Sequence, residues 1–387
     1  MITAEDLLAG PRGRRFCTEL LHQVLDEESG PAERLREVFL WAGYHVDRER
    51  GETPTLFGPG AVDPEPDPGD DEVARTLSAA VDVIDPVTVR ADHVVRAFGD
   101  TAAVARYWQE PDSEDVLLAR PSVAPVVARL AGLWAASTAV DTVVCPASPG
   151  QWSTTFDGPH GPEPLRETRP GDATRVLGDW RRALQTEVDS VRPRDRRRRV
   201  DADRGGEWWS TPPSGLLVTT PAVAPLGPLG LWAVEDDMGW ERAVVAPVST
   251  PVDARVLVID GADDWSAVCR RWPVDVSWTT RRHDWYRTTG RDGAWVTPDW
   301  SGVATEYDAV RLTVRGWLRA AGTAVPVSDG SASVIAGWTP GSTVWLRDPV
   351  PAVDQESGAV WTFDNETLLW TTGDGELLTD GVFPTRS

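Results

Sequence analysis

Apolar residues recur at three- and four-residue spacing through Phe16, Leu20, Leu21 and Leu25, then through Leu35, Val38, Phe39 and Leu40. That period brings them onto one helix face, so residues 1 to about 136 read as a succession of short helices. Further helices are predicted over 72–84, 87–108 and 122–135. A capped one over 172–191 carries Leu177, Trp180, Leu184 and Val188 on one face. Between the second and third helices, the run around Asp63, Pro64, Glu65, Pro66, Asp67 and Pro68 is too rich in proline and acid to form a helix or pack a core. A mobile acidic loop near 47–71 follows, within an all-helical domain of residues 1–191.

Residues 192–206 are charged, nearly free of apolar side chains and closed by Gly205 and Gly206, which reads as an interdomain linker. Its arginine run is either a phosphate grip or a solvated tether, and the tether is the plainer account. Beyond it the period changes to short β-type runs at 216–220, 243–248, 255–259, 310–314 and 333–338. Helical signals at 263–271 and 300–307 interrupt them. A strand-rich, tryptophan-rich α+β domain over 207–387 follows, ending in a last hairpin built on Trp361, Phe363, Leu368, Leu369 and Trp370.

Fifteen of the 20 tryptophans fall in that second part. The chain has no lysine and a single asparagine, Asn365, against 38 arginines. Residues with AT-rich codons are depleted and those with GC-rich codons enriched, so base composition accounts for most of the skew and lowers what each tryptophan says about function. No fixed period marks the tryptophans as propeller blades. A net charge of −22 predicts a solvated acidic surface that repels nucleic acid. Apolar runs fall short of a membrane span. The opening Met-Ile-Thr-Ala-Glu-Asp puts acids where a signal peptide needs a basic region, and Cys17, Cys145 and Cys269 have no paired spacing. The expected place is the cytoplasm.

The absence of lysine excludes an ordinary P-loop and Schiff-base chemistry, and the five histidines show no metal-ligand spacing, so no metal site is expected. Cys17, in an amphipathic helix, reads as buried rather than nucleophilic. The most informative stretch is 270–291. It has six arginines against Asp275 and Asp284, inside a domain whose 13 arginines and 24 acids leave it at −11. Arg281, Arg282 and Arg287 are candidates to hold an anionic group, with Trp285, Tyr286, Trp208 and Trp209 as an aromatic wall. The alternative is that the arginines pair with nearby acids while the aromatics pack inward. Glu235 and Asp236 follow an apolar run, where site carboxylates often sit, and His283 beside Asp284 is a candidate base. They remain weak catalytic candidates, since a solvated turn before Gly239 is the plainer account of the two acids and the adjacent side chains of His283 and Asp284 usually point apart.

The run from Gly206-Glu207-Trp208-Trp209-Ser210 through Arg281 to Gly290, Pro298-Asp299-Trp300, Tyr307-Asp308-Ala309-Val310 and Ala336-Gly337-Trp338 resembles hypothetical proteins of actinobacteria, mainly over 206–348. The resemblance implies an origin and a shared domain, with no activity attached. Two functions remain open. One is a cytoplasmic interaction or regulatory protein with a tryptophan-rich surface for a protein partner and no cofactor. The other is a transferase or hydrolase acting on NAD or a similar nucleotide, loosely like an ADP-ribosyltransferase, with the arginines holding a small anionic ligand.

Overall fold

The computed structural model describes residues 1–25, 30–52, 65–146, 150–158, 161–162, 172–195, 198–348, 351–354 and 356–372. About half of the loop expected near 47–71, residues 53–64, lies outside them. The first part is helical: α1 (Ala4–Leu8), α2 (Pro11–Val24), α3 (Gly30–Glu49), α4 (Gly69–Asp82), α5 (Ala91–Ala103), α6 (Ser113–Ala119), α7 (Ala124–Ala135) and α8 (Thr138–Val144). At its centre is α2, which packs against α1, α5, α6 and α7. Its apolar stripe, Phe16, Leu20 and Leu21, is fully buried. So are Arg12 and Arg15 on its other flank, which the helix carries inside because Asp115 of α6 and Glu19 neutralise them.

Fifteen strands follow among the described residues: β1 (Gln151–Gly158), β2 (Gly161–Pro162), β3 (Val218–Val223), β4 (Gly227–Pro228), β5 (Arg242–Ser249), β6 (Val256–Ile259), β7 (Pro273–Asp275), β8 (Ala294–Pro298), β9 (Ala309–Leu312), β10 (Val325–Ser328), β11 (Ser331–Ser333), β12 (Thr343–Trp345), β13 (Ala352–Val353), β14 (Ala359–Asp364) and β15 (Leu369–Thr372). Between them stand α9 (Asp172–Asp195), α10 (Ala262–Arg271), α11 (Arg281–Thr289), α12 (Trp300–Val303) and α13 (Val314–Ala320). The main sheet runs β15-β14-β5-β1-β3-β12-β9-β6, and a smaller one runs β10-β11-β8-β7. Neighbours in the main path are antiparallel except β6 and β9, which are parallel because the chain between them crosses over through α10 to α12. The protein is α+β, with the helices first and the strands largely after them. The β14–β15 hairpin pairs Phe363 with Trp370, where the sequence predicts it.

A purely helical 1–191 needs correction. β1 lies in the middle of the main sheet, with Trp152 opposite Thr220 of β3 and Ser153 opposite Ala246 of β5. Its alternation is short and lies between helical stretches, and it is a strand because partners distant in sequence complete its hydrogen bonds. The stretch 192–206 is no simple tether either. α9 runs on to Asp195, and the main chain from 198 to 204 is held by α11, as described below. Among the described residues the larger of two hydrophobic clusters extends through both parts, and a small second one gathers Leu217, Val248, Ala309 and Trp345 on the main sheet. At their junction Phe98 of α5 meets Trp317 of α13 edge to face, ring centroids 5.6 Å apart, a geometry that adds about 1 kcal/mol to the burial of the two rings. Most of the tryptophans are core: Trp265, Trp300 and Trp338 form a mutual cluster, and Trp285 packs on Trp295. Among the described residues no single helix is long and apolar enough to cross a membrane.

Candidate functional site

α11 carries the arginines singled out in the sequence, and it turns them toward the chain itself. Arg281 is buried and bonds Glu187 of α9, Glu207 and the Trp209 carbonyl. Arg282 reaches the Arg198 carbonyl and lies over the Trp278 ring. His283, also buried, donates from Nδ1 to the Val200 carbonyl at 2.8 Å. Arg287 donates to the carbonyls of Trp108, Ala202 and Arg204 at 2.9, 3.3 and 2.9 Å, and pairs with Asp284. Burial pushes the Asp284 carboxyl up to about 6, with Arg287 pulling the other way. The Trp285 indole donates to the Trp208 carbonyl at 2.7 Å from a fully buried position, and Tyr286 is half-buried. The island thus fastens the 198–209 segment to the second part and to the end of the helical one. Of the predicted ligand contacts, Trp208 and Arg287 line one recess together with Trp108, Gln109 and Asp284. Trp209, 38% exposed, stands outside it.

Glu235 and Asp236 lie in the loop from Leu231 to Glu241, and both are anchors. Glu235 accepts the Trp317 indole N–H at 2.5 Å on one oxygen, and the amides of Gly337 and Trp338 at 2.6 and 3.0 Å on the other. Desolvation lifts its carboxyl to about 8 against the pull of those three donors. Asp236 takes the Trp108 indole at 3.0 Å and the Arg106 guanidinium at 3.2 Å. A carboxylate with both oxygens engaged by protein donors is poorly placed to act on a substrate. His283 lies in α11, held by the linker segment through the Val200 carbonyl.

These anchors hold a cleft that the sequence did not reveal. Fixed from beneath, the loop presents Asp237, Trp240 and Glu241 to a cavity of about 240 Å³. The opposite wall is α5, with Arg96, Asp100 and Ala103, and the third side is Phe156 of β1 with Phe363 and Trp370 of the last hairpin. Phe156 stacks on Trp240 at 5.2 Å and 22°, and tilts against Trp370 at 5.9 Å. Trp370 in turn meets Phe363 at 5.6 Å. Asp100 accepts from Gln23 at 3.0 Å, and Glu241 from Asn365 at 3.0 Å. Although Asp100 keeps a solvent-facing flank, its carboxyl is pushed up to about 7, by desolvation first and by Glu19 next. Arg96 pairs with Asp92 at 3.1 Å.

Backbone strain gathers at the same place. Among the described residues two non-glycine residues have a left-handed φ, Asp236 at 53° and Leu368 at 54°. One sits in the loop that carries Trp240, and the other lines the cleft at the tip of the hairpin. Such conformations cost on the order of 1–3 kcal/mol each and persist where the surroundings enforce them, often at binding sites. Met238, between two lining residues, is 76% exposed.

Among the described residues no group of three or more His, Cys, Asp or Glu could hold a metal ion. Cys17 is buried, and that burial raises its thiol well above the usual range. No protein family, curated protein or solved structure matches this chain.

Proposed function

We propose that this is a binding protein of the interaction or regulatory kind, and that its ligand seat is the aromatic cleft between α5 and the β14–β15 edge of the main sheet. The observation that carries the reading is the convergence there of five aromatic residues, Phe156, Trp232, Trp240, Phe363 and Trp370, with the left-handed Leu368 in the lining and the left-handed Asp236 next to the lining residue Asp237. A concave, mostly apolar site with a few polar groups is the usual form of a ligand pocket. A cytoplasmic place and an actinobacterial origin belong to the same proposal. They rest on the unpaired cysteine spacing and on the codon skew.

The nucleotide-transferase reading draws no support from this arrangement. Its phosphate-holding arginines are engaged by Glu187, Glu207, Asp284 and main-chain carbonyls. A thermal-shift screen tests the choice, using neutral aromatic compounds, organic cations, NAD and ATP on the whole chain and on Trp240→Leu. A ligand at about 100 times its dissociation constant adds ~2.7 kcal/mol, a rise of several degrees. The expected result is a shift from a compound other than a nucleotide that disappears in Trp240→Leu. A shift with NAD or ATP that survives in that variant would overturn the reading.

A further inference from the structure

We propose that the cleft takes an organic cation, an alkylammonium head group seated against Trp240, which Phe156 backs, and balanced by Asp237, Glu241 and Asp100. This rests on the reading of the cleft as the ligand seat and adds the chemistry of its occupant. Three lining carboxylates face one lining guanidinium, Arg96, and that cation already has a carboxylate partner in Asp92, outside the cavity. Asp237 and Glu241 already outnumber that guanidinium, and above about pH 7 Asp100 is ionised as well, so the field inside is negative and an anion would enter against it.

The walls agree with the charge. The ring faces of tryptophan and phenylalanine carry negative electrostatic potential, so they attract a cation within about 6 Å of the ring centroid, and tryptophan does so best. Phe156 and Trp240, stacked at 5.2 Å, cover one face of each other, so the other face of the Trp240 indole is the one that takes the cation, while Trp370 meets Phe156 at 5.9 Å and closes the side. At about 240 Å³ the cavity lies below the roughly 300–1,000 Å³ of sites that enclose drug-sized molecules, so it suits a head group or one side chain rather than a whole nucleotide. The same alkylammonium chemistry occurs on a free small molecule and on a methylated lysine of a protein partner.

The test is calorimetric titration and saturation-transfer NMR of the full chain with choline, with a short peptide bearing trimethyllysine, and with 3,3-dimethylbutan-1-ol, the uncharged isostere of choline. Ligand-observed signals are preferable to intrinsic fluorescence, because 20 tryptophans would dilute any change at two of them. We expect saturable binding of the trimethylammonium group and at least tenfold weaker binding of the isostere. Trp240→Leu should weaken the cation at least tenfold, and Asp237→Asn several-fold, with unaltered circular dichroism. Tighter binding of the peptide than of choline assigns the source to a protein side chain, and the reverse order assigns it to a free molecule. Equal affinity for cation and isostere, lost in Trp240→Leu, would overturn the charge preference and leave the cleft as a ligand seat. Cation binding that Trp240→Leu and Asp237→Asn leave unchanged would remove the cation from the cleft. No binding of any of the three probes would overturn the cation proposal alone, since the thermal-shift screen tests the cleft separately.

Discussion

Glu235 accepts the indole N–H of Trp317 at 2.5 Å, joining the loop that builds the cleft to α13 at the junction of the two parts. Its other oxygen holds the amides of Gly337 and Trp338. Glu235→Ala would leave three donors without an acceptor, at a cost of roughly 3–5 kcal/mol. Urea unfolding of the variant should show that loss as a lower midpoint. A midpoint within error of the parent would remove the anchoring role.

The same carboxyl makes stability depend on pH. Its folded value of about 8 stands above the ordinary 4.5, because burial outweighs the three N–H donors and the nearby Arg12. Between those values the folded state holds a proton that the unfolded chain has released, so the contribution is full below about 4.5 and is lost as pH rises through about 8. The expected slope from this one group is at most ~1.4 kcal/mol per pH unit. Urea midpoints at pH 5, 6.5, 8 and 9 for the parent and Glu235→Gln isolate it, since Asp284, Asp100 and Glu114 titrate in both. Parallel curves would sink the assignment.

Much of this arrangement is legible in the sequence, and the illegible part has a physical cause. Helical spacing announces α2, α3, α4 and α7, since an amphipathic helix carries its period within itself. β1 escaped because its pairing with β3 and β5 is non-local. The loop holding Glu235 and Asp236 was singled out for its acids, yet no pattern says that these two point inward while Asp237 and Trp240 line the cavity. A turn with a left-handed residue at Asp236 reverses the alternation that a strand end suggests. Phe156, Trp240 and Trp370 come from separate stretches, and only the folded sheet brings them together. An arginine bound to backbone carbonyls looks in sequence like one waiting for phosphate, and Arg287 shows how the 270–291 island misleads.

That arginine yields a third prediction. Arg287→Ala removes donors to the carbonyls of Trp108, Ala202 and Arg204 and leaves Asp284 buried without its counter-charge. The expected loss is roughly 2–4 kcal/mol. Because Asp284 can escape its cost by taking a proton, the loss should be smaller at pH 5 than at pH 8. Denaturation at both pH values measures it. An undiminished midpoint, accompanied by lost affinity for an anionic ligand, would return this residue to a binding role.

Gly337 supplies the last prediction, through a comparison with Gly330. Both have a left-handed φ, 78° and 94°, so an alanine at either position pays the strain of that conformation, about 1–2 kcal/mol. They differ in what a methyl group would meet. At Gly330, in the turn between β10 and β11, nothing lies within 4 Å, whereas at Gly337 the new carbon would sit 2.2 Å from Trp209 Cβ and 3.2 Å from its Cα. No rotation of a side chain relieves a collision with a Cβ, so the backbone of 209 or 337 has to shift. A shift at 337 pulls its amide away from Glu235, at present 2.6 Å distant. Gly330→Ala should therefore lower the unfolding free energy by only the strain term, and Gly337→Ala by at least ~2 kcal/mol more. Equal losses in the two variants would mean that the segment carrying Trp209 is not packed against Gly337, and that the anchor of the cleft loop tolerates displacement.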